Sequence, residues 1–469
     1  MKRIAIIGAG VAGLAAALEL ERARDRGTEL EYVVYEAGSR WGGVLLTEQV
    51  NGFTVEAGPD SFLTEKSWAA DLCCELGLGD QLINSNDADR KTYILVKGKL
   101  VPIPDGLAFM VPTKILPIIS SPLFSIGTKL RMASEWFSAK RNLAADESVS
   151  EFVDRHYGPE MVDRLAGPLL AGVYGGEASQ LSIRAVLPRF AEMEEKFGSL
   201  GRGIIAARKK IGENHQPKTK SIFTSLKGGM QQLPDAMAAA IDQRNFRLKT
   251  VVRSLEQQGS NWLVFTEKEA ERFDAIIVAV PAYAAAEILE KSAQDLAGEL
   301  GGIPYTSSIT IAFGYGNEVL NSLPPGFGFL VPRSEQKQIL AATFVHTKFP
   351  HRVPPNHALI RCFLGNSKKE DMFNFLDKEI VNLVRKDLQQ VLGISATPLF
   401  SRVYKWRWAM AQYTVGHLER MQRIQTALER FPNLALAGNA YQGIGIPDCL
   451  RSGQSAARRV LQFLNFSTR

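Results

Sequence analysis

Four apolar residues in a row, Ile4, Ala5, Ile6 and Ile7, follow the charged start Lys2-Arg3 and stop at Gly8. A run this short reads as a strand buried on both faces, and glycine breaks it too early for an export signal. An alanine- and leucine-rich stretch with helical spacing comes next, then a second strand, "LEYVVYEA", which ends in Glu36. Residues 246–281 alternate apolar and polar positions around a turn at 259–261 and finish in a buried run, 275–280, stopped by Pro281. A helix is expected over 282–289, and strands over 307–315, 339–346 and 358–364. The last strand, 434–437, leads to an amphipathic helix with Pro447 in its first turn and Ala457, Val460, Leu461 and Leu464 on one face. Residues 93 to about 200 read as helix broken by prolines, and 208–220 as an exposed charged loop. No internal repeat interrupts this order.

The most apolar stretch, residues 101–124, contains five prolines and cannot form a regular spanning helix. Buried irregular core is the favoured reading, and a patch touching a bilayer the alternative. The chain has 469 residues, 45% hydrophobic and 22% charged, enough for two or three domains with their own cores. A net charge of +6 without a basic tract interleaved with aromatics argues against nucleic acid and for a small anionic partner or a lipid surface. Four cysteines in no paired spacing fit a reducing cytoplasm and no metal site. Both monomer and dimer remain open.

Gly8, Gly10 and Gly13 form GxGxxG between a strand and a helix, the context in which the motif signifies dinucleotide binding. Gly8 serves the turn, Gly10 lets a pyrophosphate approach the backbone beside Val11 and Ala12, and Gly13 lets the helix pack on the strand. Glu36, 23 residues past Gly13, is where a carboxylate meets a ribose diol. Arg40, Gly42 and Gly43 then resemble the R-x-G-G extension of flavin-dependent amine oxidases, which implies that this loop closes on the pyrophosphate of FAD. Residues 246–281 resemble that superfamily's second nucleotide block, in which Val252 would meet the adenine through its backbone. Near the end, Gly438, Gly443, Ile444, Gly445 and Ile446 lie between a buried strand and a helix. Glycines there let backbone lie against a flat ring, and the helix dipole stabilises negative charge on it by up to ~2 kcal/mol.

Six stretches, "EAGPDSFL" (56–63), "VPTK" (111–114), "GPLLAGVYGG" (167–176), "LKGGMQQLP" (226–234), "AQYTVGH" (411–417) and "GIGIPDC" (443–449), resemble the protoporphyrinogen/coproporphyrinogen oxidase family, most closely its soluble bacterial branch. Ala411, where that family has proline, and Thr92, where its plant and animal branch has a propionate-binding arginine, depart from the pattern. The resemblance implies an α/β fold with a discontinuous Rossmann-like FAD-binding domain (1–86, 227–281, 426–469), a helical subdomain (93–198) and an α+β substrate domain (199–226, 282–425). It implies non-covalent FAD, with Gly58, Pro59 and Asp60 joining the cofactor residues and Cys449 only packing. It further implies six-electron oxidation of a porphyrinogen by O2 with release of hydrogen peroxide, coproporphyrinogen III ahead of protoporphyrinogen IX, and hand-off to a ferrochelatase.

Lys66, placed after a Thr64 N-cap in a helix's first turn, is the candidate catalytic and propionate-binding residue, against the bland reading of a solvated lysine. Lys91 and Val173 are further substrate contacts, with Arg90 as another cation. No Ser/His/Asp constellation is present, and His156, His346 and His417 read as structural hydrogen-bonders. Another amine oxidase would want a cage for a cationic amine, and a carotenoid desaturase a long apolar tunnel. A flavin-less binding protein of the same fold would not need the intact glycines, Glu36 and Arg40.

Overall fold

The computed structural model describes residues 1–140, 145–212, 221–365 and 370–466. Five parallel strands form one sheet in the order Phe246–Arg247, Leu30–Tyr35, Lys2–Ile7, Ala275–Val278, Leu434–Leu436. They come from distant parts of the chain, so this layer is discontinuous in sequence. Ile4 and Ile6 face a core made with the helices Val11–Asp25 and Ile446–Phe463, whereas Ala5 and Ile7 face one shared with Leu255, Trp262 and Phe273. Both faces are covered, which is why these strands are apolar at every position instead of alternating. The residues Leu255, Trp262 and Phe273 belong to an antiparallel sheet, Val252–Gln258, Asn261–Thr266 and Ala270–Phe273.

A second large sheet has seven strands: Phe400–Ala411, Tyr305–Tyr315, Ala358–Leu364, Ala341–Phe344, Gly328–Leu330, Thr92–Val96 and Lys99–Pro102, in that order. Helices between Val149 and Gly212 form the third body. No helix among the described residues is long and apolar enough to cross a membrane.

Several expectations are corrected. The region from 93 begins with a hairpin, not a helix: Thr92–Val96 pairs with Lys99–Pro102 around Lys97 and Gly98, both at positive φ, and the short strands Leu107–Ala108 and Val111–Pro112 follow. The strand expected to end at 346 stops at Phe344, and Val345–Lys348 turns into a helix that carries Lys348 to Asp60. Residues 208–212 belong to the helix Leu200–Gly212, and 213–220 lie outside the described residues. Thr64 is no N-cap. The strand Phe62–Leu63 pairs with Phe223–Leu226, Thr64 shares a hydroxyl bond with Thr224, and the next helix begins only at Trp68.

The proline-rich stretch divides. Met110, Val111, Ile118, Leu123 and Phe124 are buried, but Leu116 is 80% exposed, with Ile115 and Ile119 close behind. Ile126, Leu130 and Phe137, at 87%, extend the exposed apolar surface beyond it. The buried-core reading is therefore wrong for one face, because prolines break the segment into short strands and a single six-residue helix, Ile115–Ser120, whose outer side nothing covers.

Candidate active site

The first loop is built by sterics. Gly8 takes φ +102°, donates its N–H to the Tyr35 carbonyl at 2.7 Å, and would place a Cβ 2.7 Å from the Ala279 oxygen. A Cβ on Gly13 would lie 1.9 Å from the Gly8 oxygen, so the helix can begin beside the loop only with glycine there. Gly10, the N-cap of that helix, is different: a Cβ on it would meet nothing within 4 Å. The helix Val11–Asp25 thus begins with no side chain at its N-cap. Glu36 closes the loop from the side, accepting the Ala9 N–H at 2.8 Å and the Gly38 N–H at 2.7 Å.

Gly42 and Gly43 hold positive φ and fold the next loop over the first, so that a Cβ on Gly43 would lie 3.4 Å from the Gly10 Cα. The Arg40 guanidinium braces this loop, donating to the carbonyls of Trp41 and Leu45 at 3.0 Å and to that of Gly43. Its bonds run to the backbone of its own loop, because the left-handed glycines turn those carbonyls toward it. A Cβ on Gly58 would lie 1.8 Å from the Val44 oxygen, which joins the segment 57–60 to the same loop pair.

The C-terminal turn is pinned by an aromatic. Tyr413 accepts the Gly443 N–H at 2.7 Å and donates to the Asn439 carbonyl at 2.8 Å, while its ring stacks on His417 at 4.1 Å. Gly438 at φ +137° donates to the Ser452 hydroxyl, and Gly443 takes φ +125°. Gly445 is the N-cap of the last helix and has no side chain to cap it, Ile444 is half-buried, and Ile446 is buried. Lys66 reaches this turn from before its helix, donating to both Asp448 carboxylate oxygens at 2.5 Å. Tyr174 borders the same group, its ring centroid 6.4 Å from that of Tyr413. Burial raises the Tyr174, Tyr305 and Cys449 acids to about 12 each, so none of them is a ready proton acceptor near neutral pH.

The first helix packs on the last, which brings the first loops and the C-terminal turn into one region of the molecule. A family model for flavin containing amine oxidoreductases matches residues 11–461, nearly the whole chain. The chain belongs to that family. It is 33% identical to the coproporphyrinogen III oxidase of Bacillus subtilis (strain 168), over 99% of this chain and 98% of that protein. It is 29% identical to protoporphyrinogen oxidase 2, chloroplastic/mitochondrial, of Arabidopsis thaliana, over 99% of this chain and 94% of that one. A solved structure from Exiguobacterium sp. 255-15, provisionally described as a protoporphyrinogen oxidase, superposes with a TM-score of 0.88 at 28% identity, covering 98% of this chain and 99% of the other.

The cofactor of a flavin-containing amine oxidoreductase suits these residues. Open space at Gly10 and a carboxylate at Glu36 beside the first-loop N–H groups are what the dinucleotide FAD requires. Other candidates fall at varying distances from the turn. Val173, 54% exposed, sits next to Tyr174 on the helix Gly167–Tyr174. Val252 opens its strand with its side chain buried. Lys91 and Arg90 are exposed, and the Lys91 carbonyl accepts the Phe327 N–H at 2.7 Å.

Asp60 departs from expectation. Its carboxylate is bonded by Lys348 at 3.0 and 3.1 Å. Burial alone would raise its acid, but Lys348 and Arg361 hold it well below the usual carboxylate range. Reasoning on sequence missed Asp448, Tyr174, Tyr413 and the Lys348–Arg352–Arg361 group. An arginine in the apolar strand "ALIRCFL" and an acid in the first turn after Pro447 were the available signals.

Proposed function

We propose that this chain is an FAD-dependent oxidase that removes six electrons from a porphyrinogen in three two-electron steps and passes them to three molecules of O2, releasing three of hydrogen peroxide. Coproporphyrinogen III is the preferred substrate. The observation that carries this is a tyrosine-bordered turn with a cation, Lys66, at its edge, in a chain similar from end to end to the Bacillus subtilis enzyme. When bound, FAD supplies the two-electron acceptor, held without a covalent link.

Gly8, Gly10, Val11, Ala12, Gly13, Gly42 and Gly43 would present backbone to its phosphates, Glu36 would bind its ribose, and Val252 its adenine. Arg40 would order the loop. Gly58, Pro59, Asp60, Gly438, Gly443, Ile444, Gly445 and Ile446 would line its ring through backbone. Lys66 would bind a propionate or take a pyrrole proton, Val173 would pack on the macrocycle, and Lys91 would serve only if a propionate extends to it. The remaining chemistry asks little of acids and bases, since aromatisation drives it.

The protein would work in the cytoplasm, and contact with a membrane surface is supported by the exposed Ile115, Leu116, Ile119, Ile126, Leu130 and Phe137. A ferrochelatase would consume the porphyrin product. Initial rates of porphyrin fluorescence in air, with coproporphyrinogen III and protoporphyrinogen IX in one buffer, test the function. A higher kcat/KM for protoporphyrinogen IX would make that compound the substrate, and a colourless protein that oxidises neither would end the proposal. Co-sedimentation with anionic vesicles, lost in a Leu116→Ser/Phe137→Ser variant, tests the surface.

A further inference from the structure

Asp448 has no role in the function argued so far, yet it occupies the centre of the turn. Its carboxylate lies in the concavity of residues 443–445, where a Cβ on Gly443 would come 2.5 Å from Cγ and one on Gly445 3.1 Å from Oδ2. It sits in the first turn of the helix Ile446–Phe463, whose N-cap has no side-chain bond, so dipole and charge favour an anion there. The side chain is 14% exposed, and both its oxygens are spent on Lys66, which comes from a segment 382 residues away in sequence. The burial-raised Cys449 and Tyr174 acids are both pushed further up by Asp448. One negative and one positive charge therefore meet at the turn and offset each other.

We propose that Asp448 is a positioning residue: its carboxylate holds the Lys66 ammonium beside the Gly443–Gly445 turn and sets the electrostatic potential there. This rests on the reading of the turn as the place of the flavin ring and of Lys66 as a substrate contact. A free lysine at this position would have many rotamers and a bare positive charge. The paired lysine has one placement and a neutral surround, which an anionic substrate carboxylate can enter by sharing the ammonium.

The test compares the wild type, Asp448→Asn, Lys66→Met and the double variant by the reduction potential of bound flavin and by steady-state kinetics. Removing the negative charge is expected to favour reduction by about tenfold, ~30 mV for a two-electron couple, and removing the positive charge to disfavour it similarly. The double variant returns toward wild type. In kinetics, Asp448→Asn lowers kcat/KM about tenfold and changes nothing further once Lys66 is methionine. Four equal potentials, or an equal fall in kcat/KM from Asp448→Asn in the Lys66→Met background, would overturn the proposal. Asp448→Ser is the second variant, read the same way, if Asp448→Asn does not retain flavin. Shifted potentials in an enzyme that turns over no porphyrinogen would uphold Asp448's electrostatic role and defeat the function reading instead.

Discussion

Glycines of one motif do separable work, and Gly10 and Gly13 show it. A side chain at Gly13 collides with backbone, so Gly13→Ala should destabilise the apoprotein as well as the holoenzyme. Gly10 has extended backbone, φ −68° and ψ 178°, that any residue adopts, and open space, so Gly10→Ala should leave apoprotein stability within about 0.5 kcal/mol and weaken FAD binding. Melting of flavin-free protein and fluorescence titration with FAD separate the two; equal melting losses would show that the space at Gly10 is not the cofactor's. Histidines provide a second residue-scale test. Burial holds His417 down at about 4, and its Nε2 is buried without a partner. An unfolded histidine titrates near 6.5, so the unfolded chain binds the extra proton and stability should rise with pH from about 4 to 6.5, by about 3 kcal/mol. His156 works the other way. Burial would lower it, but Glu135 and Glu194, 3.4 and 3.3 Å away, raise it, with Arg155 opposing. Its contribution is full below its unfolded value and is lost as pH climbs through the folded one. Denaturant titrations across pH should show His417→Phe flattening the acid limb and His156→Gln the alkaline limb.

Among whole elements, the contact that matters most to the site is between the first helix and the last. A Cβ on Gly453 would lie 2.0 Å from the Ala12 oxygen, so the helices touch through backbone. Gly453→Ala must push the helices apart, at about 1–3 kcal/mol, and should weaken FAD retention because Ala12 moves with its helix. Gly298, in the helix Gln294–Gly301, has nothing within 4 Å, and Gly298→Ala should stabilise by about 0.5–1 kcal/mol without touching flavin binding. Thermal melting and flavin release on dilution, measured on both variants, check this contrast. Element type was largely legible from periodicity: the helix Ala282–Leu289 and the strand Ala358–Leu364 lie where their patterns place them. The hairpin at 92–102 was not, because its strands are short and the proline-rich sequence after them suggested broken helix.

Across the whole molecule, the segment 57–60 is gripped by cations and a ring from the second sheet and its connections. Trp406 donates to the Ala57 carbonyl at 2.9 Å, Arg361 to that of Gly58, and Arg352 pairs with Glu56 at 2.9 Å, with 0% and 2% of the two side chains exposed. Removing one member of such a pair leaves the other charge buried alone, so Arg352→Met should cost about 3–5 kcal/mol and loosen flavin, read by melting and by FAD titration. A melting temperature unchanged from wild type would show that this cluster does not join the layers. The sequence by itself determined the dinucleotide loop, the family and the two strand-turn-helix units, because a GxGxxG between strand and helix is local chemistry that neighbours in the chain complete. Only tertiary structure decided that Lys66 meets Asp448, that Asp60 turns its carboxylate to Lys348, that Arg40 braces its own loop, and that one face of the proline-rich segment stays open. Each of those outcomes depends on a charge or an apolar face finding its partner across hundreds of residues, and no periodicity in a chain records who that partner is.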